Sequence, residues 1–388
     1  FKQKTAYEML RSLVGSEMCI RDRYKLSKIM NMRNLKDLIR KQQDGFTLDQ
    51  TFYLDPEIFK LDYNNFFLNH WVFVDHISSL IETGDYFVFN LIDDDVTVTK
   101  LESAIEARFA SNNKVCHSKI FEGLIFLNFS DNPDNFDEFI NPVKDFIQLH
   151  DLDNAKIAYR KTYPTFGNWK LTLDNFHECY HCGPAHPEYC EVHSTDYIQA
   201  YGAGANTGPV SDEFNKELED WNKKVKELGH FTGEYEEENF SQYSRSAERT
   251  PLSHGKLSET RDGTPASILM GKFKDFDGGY TSVGPSPFNS LLMTNDFATA
   301  FKFIPRGPLE TDVELIWLVH KDAVEGKDYD IEKMVWMWDQ TTIADKTIIE
   351  NNQKGVLSNH YAPGQLSQME VAVNSFKNWY LKHTENSL

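Results

Sequence analysis

The sequence predicts an α+β protein in which a small β-rich unit precedes a larger unit that combines an antiparallel sheet with a long C-terminal helix. Short runs of aromatic and β-branched residues, bounded by Gly and Asp, lie between residues 71 and 129 and are typical of strands. Two amphipathic helical patterns, at about 331–352 and 366–383, follow further strand-like runs in the second half. A stretch rich in Pro, Asn and Asp, residues 131–143, is predicted to link the two units.

The first unit is predicted to begin with helical segments and to continue as strands. Residues 31–43 have the pattern of a short amphipathic helix, and Asp55-Pro56 opens a second helical segment. Four strands are then predicted, in the runs WVFVDH (71–76), DYFVFNLI (85–92), DVTVTK (95–100) and IFEGLIFLNF (120–129).

From residue 144 onward the pattern mixes helices and strands. A helix is predicted over 170–182, and strands are predicted at 266–275, 290–305 and 311–320. The polar, charged stretch 229–265 has little apolar periodicity. It is interpreted either as a lid over a site or as a surface loop, and the pattern does not choose between them.

The composition excludes several functional classes. The 388 residues carry a net charge of −19, which argues against nucleic acid as the main partner because phosphate binding needs a basic surface. No run approaches the ~18 apolar residues that a membrane-spanning helix needs. Five cysteines in so long a chain do not make a disulfide framework and favour a reducing compartment. We therefore expect a cytoplasmic protein that binds neither nucleic acid nor membrane.

The N-terminus differs in charge from the rest of the chain. Residues 1–43 carry a net charge of +7, whereas the remaining residues carry −26. A basic N-terminus is typical of an organelle transit peptide, so import stays open. The stretch 4–23, KTAYEMLRSLVGSEMCIRDR, nevertheless resembles the translated sequencing-adaptor remnant found at the ends of unrelated transcript-derived sequences. We therefore expect residues 1–29 to be foreign to the fold, with Met30 or Met32 as the start.

The segment from Asn168 to His193 concentrates four histidines and three cysteines and predicts a metal site. On the predicted helix, Asn175, Glu178 and His181 share one face because they are three residues apart. Gly183-Pro184 ends or kinks that helix, which lets His186 turn back toward His181. Two imidazoles need one more carboxylate to form a facial triad, the arrangement that leaves positions open on Fe(II). The alternative is a set of histidines that are buried and hydrogen-bonded without a metal.

Here the sequence resembles a known family. The run NWKLTLDNFHECYHCGPAHP is similar to the mononuclear-iron motif of Rieske non-haem iron oxygenase large (alpha) subunits, including the choline- and carnitine-monooxygenase-like branch. The resemblance extends through FEGLIFLNF to the C-terminal block and covers most of residues 30–388. It implies a truncated β-rich Rieske-type domain over 30–143, followed by a helix-grip-like catalytic domain over 144–388.

The same resemblance implies roles for individual residues. His181 and His186 become ligands of mononuclear Fe(II), and Asp345 becomes the third ligand in an Asp-x7-Gln pattern. Glu178 matches the acid that connects the iron site to a neighbouring subunit's cluster, and Asn175 matches a polar position close to the iron. By spacing alone the nearby acids remain alternatives to Asp345 as the ligand; they are Asp339 and Glu350.

The ligands of the family's Rieske [2Fe–2S] cluster are not found in this chain. Two thiolates and two imidazoles are required, in the form Cys-x-His and Cys-x-x-His. Cys116 and His117 are adjacent, and the match from Cys179 to His193 has too short a spacer and would take His181 from the iron site. We interpret the junction Lys100–Leu101 as the place where the cluster loops are missing.

Rival interpretations remain for the cysteines and for the activity. Cys179 and Cys182 have a spacing that also occurs in zinc and redox sites. The resemblance implies hydroxylation or oxidative demethylation of a small substrate, such as a quaternary ammonium compound, with O2 and with electrons from an NAD(P)H-dependent flavin/iron–sulfur reductase, in a homotrimer. Ring hydroxylation of an aromatic compound is the first alternative, and an electron-dead or substrate-binding subunit is the second. Aromatic side chains that are candidates for a cation cage are Trp169, Tyr189, Tyr201, Phe288 and Phe297.

Overall fold

The computed structural model describes residues 32–193, 211–237 and 241–388, which fold around two antiparallel sheets. The interpretation of residues 1–29 as foreign sequence lies outside the described residues, and so does Tyr201.

The first sheet has six strands in the order β1-β6-β5-β4-β3-β2, and each pair is antiparallel. The first three predicted runs are confirmed as strands, whereas the fourth, 120–129, is a hairpin that contains the end of β5, a turn at Glu122-Gly123 and β6. Neither β4, whose sequence IEARF is too polar for a strand pattern, nor most of β5 was predicted. The strands are β1 (Val72–His76), β2 (Tyr86–Asn90), β3 (Asp95–Lys100), β4 (Ile105–Phe109), β5 (Val115–Phe121) and β6 (Leu124–Asn128).

The junction Lys100–Leu101 lies in a tight hairpin. Lys100 at the end of β3 is in register with Ile105 at the start of β4. The backbone N–H of Leu101 donates to the carbonyl of Ala104 over 2.8 Å, which closes the turn. The two strands are therefore joined directly at the place where the family's cluster loops were expected.

The second sheet has seven strands, again all antiparallel, in the order β7-β13-β12-β11-β10-β9-β8. Three predictions are corrected here: the stretch 229–265 contains the last two strands of this order, 266–275 is a loop without a strand, and 290–305 is two strands, 289–293 and 297–307, and not one. The strands are β7 (Ala155–Thr165), β8 (Glu234–Glu236), β9 (Ser246–Pro251), β10 (Gly279–Ser286), β11 (Asn289–Met293), β12 (Phe297–Gly307) and β13 (Glu310–His320).

Helices cover the sheets at both ends of the chain. The predicted C-terminal helices are confirmed at 331–356 and 371–386. In the described part of the chain, no helix is long and apolar enough to cross a membrane. The α-helices are α1 (Met32–Arg40), α2 (Thr51–Leu54), α3 (Pro56–Asp62), α4 (Phe136–Ile140), α5 (Lys144–Gln148), α6 (Trp169–Phe176), α7 (Cys182–Ala185), α8 (Pro187–Val192), α9 (Asp212–Leu228), α10 (Ile331–Val356) and α11 (Val371–Asn386).

The two sheets share a hydrophobic core and are joined by buried polar contacts. Asn289 in β11 accepts from the backbone N–H of Phe73 over 2.9 Å and donates to its carbonyl over 3.2 Å. The buried Lys302 in β12 donates to the carbonyl of Val74 over 2.7 Å. These bonds satisfy the backbone of β1 at a point where water is excluded, so the first sheet is fixed against the second.

Helix α10 crosses the start of α6 at very short range. Gly167, just before α6, allows this approach, because a Cβ atom there would lie 2.5 Å from Ile349 Cγ2. Asn168 caps α6, and its backbone N–H donates to Oε1 of the buried Gln353 over 2.8 Å. The start of α6 is therefore fixed to the helix that carries Asp345.

Candidate metal centre and substrate pocket

The helix that was predicted over 170–182 ends at Phe176. The Glu178 carboxylate accepts hydrogen bonds from the backbone N–H groups of Tyr180 and His181, as an N-cap side chain does, and so begins a new turn instead of continuing the helix. The prediction of a continuous face carrying Asn175, Glu178 and His181 was therefore wrong in detail. The turn still brings these side chains together, because it folds His181 back toward the end of α6.

His181, His186 and Asp345 converge on one point. The Nε2 atoms of His181 and His186 lie 3.1 Å and 2.9 Å from Asp345 Oδ1, and the three ligand atoms are all within 4.8 Å of one another. Two donors that are each ~2.1 Å from one ion, at right angles, stand about 3 Å apart. Two imidazole nitrogens and one carboxylate oxygen in this arrangement fit an octahedral ion such as Fe(II) with open positions.

Each imidazole has a glutamate at its other nitrogen. Glu178 Oε1 is hydrogen-bonded to His181 Nδ1. Glu188 Oε1 lies 3.6 Å from His186 Nδ1, and that nitrogen is buried with no hydrogen-bond partner among the described residues. A carboxylate behind each ring favours a proton on Nδ1 and leaves Nε2 free to bind a metal. This arrangement is a second observation that fits a metal at the triad.

Hydrogen bonds within the triad shift the pKa values of His181 and Asp345 in opposite directions. Burial acts to lower the pKa of His181, but hydrogen bonds to Asp345 and Glu178 outweigh it and raise the pKa to about 9. Burial acts to raise the pKa of Asp345, but the hydrogen bonds from His181 and His186 outweigh it, and the pKa is lowered. These hydrogen bonds favour a protonated His181 beside the ionised Asp345, and a metal cation that binds the three side chains would have to displace that proton.

The hydrogen-bond partners of Asn175 and of the two alternative acids show which of them belong to the site. Asn175 Nδ2 donates to Asp345 Oδ1 over 3.2 Å and lies 3.3 Å from His181 Nε2, at the edge of the triad. Asp339 instead binds Lys161 and Tyr163, and Glu350 binds Lys346. Of the three acids on α10 that spacing left open, Asp345 alone contacts the two histidines in the described residues.

The cysteines do not form a metal site in this structure. Cys179 and Cys182 are joined to each other by a disulfide, so neither thiolate is available to zinc. The free cysteines in the described part of the chain are Cys116 and Cys190. Cys116 is buried in β5, and burial raises the pKa of its thiol to about 12, which disfavours the thiolate that binds metals.

The triad forms part of the wall of a cavity of about 1120 Å³. The second sheet also lines this cavity through Glu248, Ser282 and Leu292, which are in register across β9, β10 and β11. Aromatic side chains that line the cavity include Tyr189, Tyr280, Phe303, Trp338, Phe376 and Trp379. A cavity of this size, lined by aromatic rings together with charged and polar side chains, can hold a small molecule.

Only one of the described aromatic residues that the sequence offered for a cation cage lines the cavity. Tyr189 lines the cavity, three residues after His186. Trp169, Phe288 and Phe297 are instead buried in the hydrophobic core. Aromatic composition alone did not distinguish core from cavity, because both surroundings bury large rings.

Sequence reasoning missed several residues next to the triad. Glu188 follows His186-Pro187 directly, and that position was a usable signal because an acid two residues after a ligand can reach its ring. Glu259, His193 and Trp338 form a hydrogen-bonded group beside the triad. No local pattern relates them, since Glu259 comes from a loop between β9 and β10.

Comparison with known proteins places this chain among oxygenase subunits. Residues 152–386 match the family model described as ring hydroxylating alpha subunit (catalytic domain). The chain is 28% identical over 401 residues to the glycine betaine monooxygenase oxygenase subunit of Chromohalobacter salexigens, covering 89% of this chain and 87% of that protein. It is 24% identical over 211 residues to the carnitine monooxygenase oxygenase subunit of Escherichia coli, covering 40% of this chain and 56% of that protein.

Solved structures share the fold. A quaternary ammonium Rieske monooxygenase in complex with L-carnitine matches with a TM-score of 0.62 at 14% identity, covering 90% of this chain and 98% of that chain. Naphthalene 1,2-dioxygenase from Rhodococcus sp., bound to indole, matches with a TM-score of 0.55 at 13% identity, covering 91% and 98%. These likenesses confirm the predicted α+β class, a β-rich part followed by an antiparallel sheet with a long C-terminal helix.

Proposed function

Because this chain belongs to the Rieske non-haem iron oxygenase alpha subunits, we propose that it hydroxylates or oxidatively demethylates a small quaternary ammonium compound. The observation that carries the proposal is the convergence of His181, His186 and Asp345 on the wall of an acidic, aromatic cavity. The names of the relatives support the substrate class, since they include glycine betaine and carnitine monooxygenase subunits.

In this proposal His181 and His186 bind Fe(II) through Nε2, and Asp345 binds it through a carboxylate oxygen. The iron supplies the O2 chemistry that protein side chains lack. Glu178 accepts a hydrogen bond from Nδ1–H of His181 and so orients Nε2 of the ring toward the metal. Asn175 donates to Asp345 Oδ1 and fixes which oxygen faces the two rings.

The charge of the cavity favours a cationic substrate. In the described residues that line it, six carboxylates face two guanidinium groups, and a divalent ion at the triad still leaves a negative sum. Both guanidinium groups are already paired, Arg245 with Glu237 and Arg249 with Asp277. Aromatic faces attract quaternary ammonium groups, and the net negative charge of the lining favours a positively charged group over an uncharged one of the same shape.

Glu248 is the carboxylate best placed to face the cation. It lies on the cavity side of β9, opposite Ser282 on one neighbouring strand and Glu234 on the other. Like charges directly across strands repel, and a cation between Glu248 and Glu234 would remove that repulsion. A substrate cation near Glu248 would also lie against Tyr280, which is two residues from Ser282 on the same face.

The test compares a quaternary ammonium group with its uncharged carbon isostere in otherwise matched carboxylates. Binding of glycine betaine and of 3,3-dimethylbutanoate, in which carbon replaces the charged nitrogen, is measured by calorimetry on the Co(II)-loaded chain. We expect glycine betaine to bind at least tenfold tighter, and Glu248→Gln to reduce that preference while Glu310→Gln, at the exposed start of β13, leaves it unchanged. Equal affinity for both compounds, or tighter binding of an aromatic acid, would refute the substrate class.

Electrons are proposed to reach the iron from an NAD(P)H-dependent flavin/iron–sulfur reductase, in a homotrimeric assembly. An electron-dead or substrate-binding subunit remains the second candidate, and the direct β3–β4 hairpin at Lys100–Leu101 is the observation that favours it. The two candidates share the iron triad and the cavity and differ in whether the chain can receive electrons through its own cluster.

A further inference from the structure

Glu259 is a fully buried carboxylate beside the triad that is not itself a ligand. Each of its oxygens has one partner. Oε1 lies 2.9 Å from His193 Nε2, and Oε2 accepts from the indole N–H of Trp338 over 3.1 Å. A carboxylate without access to water needs such partners, because an unpaired one is very costly to bury.

The two partners belong to the two elements that carry the iron ligands. His193 ends α8, which begins at Pro187 immediately after His186. Trp338 is seven residues before Asp345 on α10, which on a helix is close to two turns and therefore nearly the same face. Glu259 thus connects the element of His186 to the element of Asp345 through one side chain.

The loop that carries Glu259 is itself fixed to the second sheet. Asp296, fully buried between β11 and β12, accepts from the hydroxyl of Ser258 over 2.8 Å. The same carboxylate accepts from the backbone N–H groups of Ala266 and Ser267 over 2.6 Å and 3.1 Å. Both ends of the loop are therefore held, so Glu259 projects from a rigid base.

Aromatic packing surrounds this connection. The ring of His193 stacks on Tyr189 with centroids 4.2 Å apart and meets the edge of Tyr280 at 4.7 Å. Tyr189 in turn lies 5.8 Å from Trp338. A shift of His193 would therefore move the cavity wall next to His186. Stacked rings can slide over one another, so the hydrogen bonds to Glu259 are needed to fix their positions.

We infer that Glu259 is a positioning residue that sets the distance between His186 and Asp345 and thereby the metal affinity of the triad. The inference rests on the proposed iron site and deepens it. A parallel contact, in which the hydroxyl of Thr341 donates to Glu188 Oε1 over 3.1 Å, joins the same two elements closer to the metal. Residues that orient metal ligands from behind typically change affinity by about ten- to a hundredfold when removed.

The experiment measures Co(II) binding by the full chain, by its visible absorbance and by calorimetry, in Glu259→Gln and Trp338→Phe. Glu259→Gln keeps the size of the side chain and removes its charge, whereas Trp338→Phe keeps a ring and removes the indole N–H. Trp317→Phe is the matched control, because Trp317 is also fully buried and its indole nitrogen has no hydrogen-bond partner among the described residues. Circular dichroism and the melting temperature of each metal-free variant are recorded alongside.

Both Glu259→Gln and Trp338→Phe are expected to weaken Co(II) binding about tenfold and to alter its visible spectrum, while Trp317→Phe changes neither. Unchanged affinity and spectrum in both variants, with only a lower melting temperature as in Trp317→Phe, would mean that Glu259 serves stability alone. That result would overturn the inference and leave the proposed function standing. A wild-type chain that binds no Co(II) would overturn both.

Discussion

At the scale of single residues, the orientation of the two imidazoles depends on the acids behind them. Glu178 already holds Nδ1 of His181, whereas Glu188 stands 3.6 Å from Nδ1 of His186. A metal at Nε2 of His186 would favour a proton on Nδ1, and that proton would draw the ring and Glu188 together. Metal binding is therefore expected to shorten the 3.6 Å separation between Glu188 Oε1 and His186 Nδ1 to hydrogen-bond length.

Glu178 is predicted to contribute to metal affinity through His181. Replacing Glu178 with Ala is expected to weaken Co(II) binding about ten- to a hundredfold, because the ring loses the group that fixes its orientation. Glu178→Gln should weaken it less, since the amide oxygen can still accept from Nδ1. The control is Glu350→Gln, a carboxylate on α10 that pairs with Lys346 away from the triad. Equal affinities for wild type and Glu178→Ala would contradict the assigned role.

His150 predicts a pH dependence of stability. It is fully buried, and burial, aided by the charge of Arg249, lowers its pKa from 6.5 to about 3. The neutral ring therefore contributes stability that is fully present above pH 6.5 and is lost as the pH falls from 6.5 toward 3, because the unfolded chain takes up the proton first. At pH 5 this loss is about 2 kcal/mol for His150 alone.

The measurement is the free energy of unfolding in urea at pH 7.5 and pH 5 for wild type and His150→Leu. We expect the stability difference between the two chains to shift by about 2 kcal/mol against the wild type at the lower pH. His117→Asn, at an exposed position on β5, should show no such shift. A difference that is independent of pH would mean that His150 is protonated in the folded protein.

At the scale of elements, the segment between α6 and α8 explains where spacing succeeded and where it failed. The residue types and their separation predicted that His181 and His186 would meet, and the structure brings them together. The prediction of a continuous helix was wrong because the Glu178 carboxylate accepts hydrogen bonds from the backbone N–H groups two and three residues ahead. Such side-chain bonds compete with the helix, and intrinsic helix propensity does not account for them. Likewise β8 and β9 were missed because strands at a sheet edge carry charged side chains on the face toward the cavity.

The disulfide in this segment separates the iron and zinc interpretations. A zinc site built on Cys179 and Cys182 would collapse without its thiolates, whereas the triad uses no sulfur. The double variant Cys179→Ser, Cys182→Ser is therefore expected to bind Co(II) within about threefold of wild type, and its spectrum should lack the intense charge-transfer bands of Co(II)–thiolate. The paired test is His186→Ala, which should abolish binding. Loss of the metal in the double serine variant would restore the zinc interpretation.

At the scale of the whole molecule, the site combines residues that local patterns cannot connect. Asp345 is 164 residues from His181 in sequence, and only the family resemblance selected it over Asp339 and Glu350. The close approach at Gly167 and the bond from Asn168 to Gln353 bring its helix to α6. Contacts of this kind depend on the packed tertiary structure, so spacing indicated the two histidines, resemblance selected Asp345, and Glu259 was identified only from the structure.

The last prediction concerns electron supply to the whole chain. A Rieske cluster needs two cysteines and two histidines around one [2Fe–2S] unit. In the described residues, one cysteine pair is closed as a disulfide, Cys116 is buried in the first sheet, and Cys190 lies in α8 beside the second. The hairpin at Lys100–Leu101 joins β3 to β4 with a turn too short to carry cluster loops.

We therefore expect the purified chain, reconstituted with iron and sulfide under reducing conditions, to bind mononuclear iron and to contain no stoichiometric acid-labile sulfide. With a reductase and NAD(P)H alone it should bind substrate yet give no product, because the proposed hydroxylation then needs an intact, cluster-bearing partner subunit to supply the electrons. Inserting the cluster loops of an intact relative between Lys100 and Leu101 should restore both the visible absorbance and turnover, because the triad and cavity are already complete. Two acid-labile sulfides per unmodified chain would show that the cluster has ligands elsewhere. Turnover without them would show that electrons reach the iron by another route.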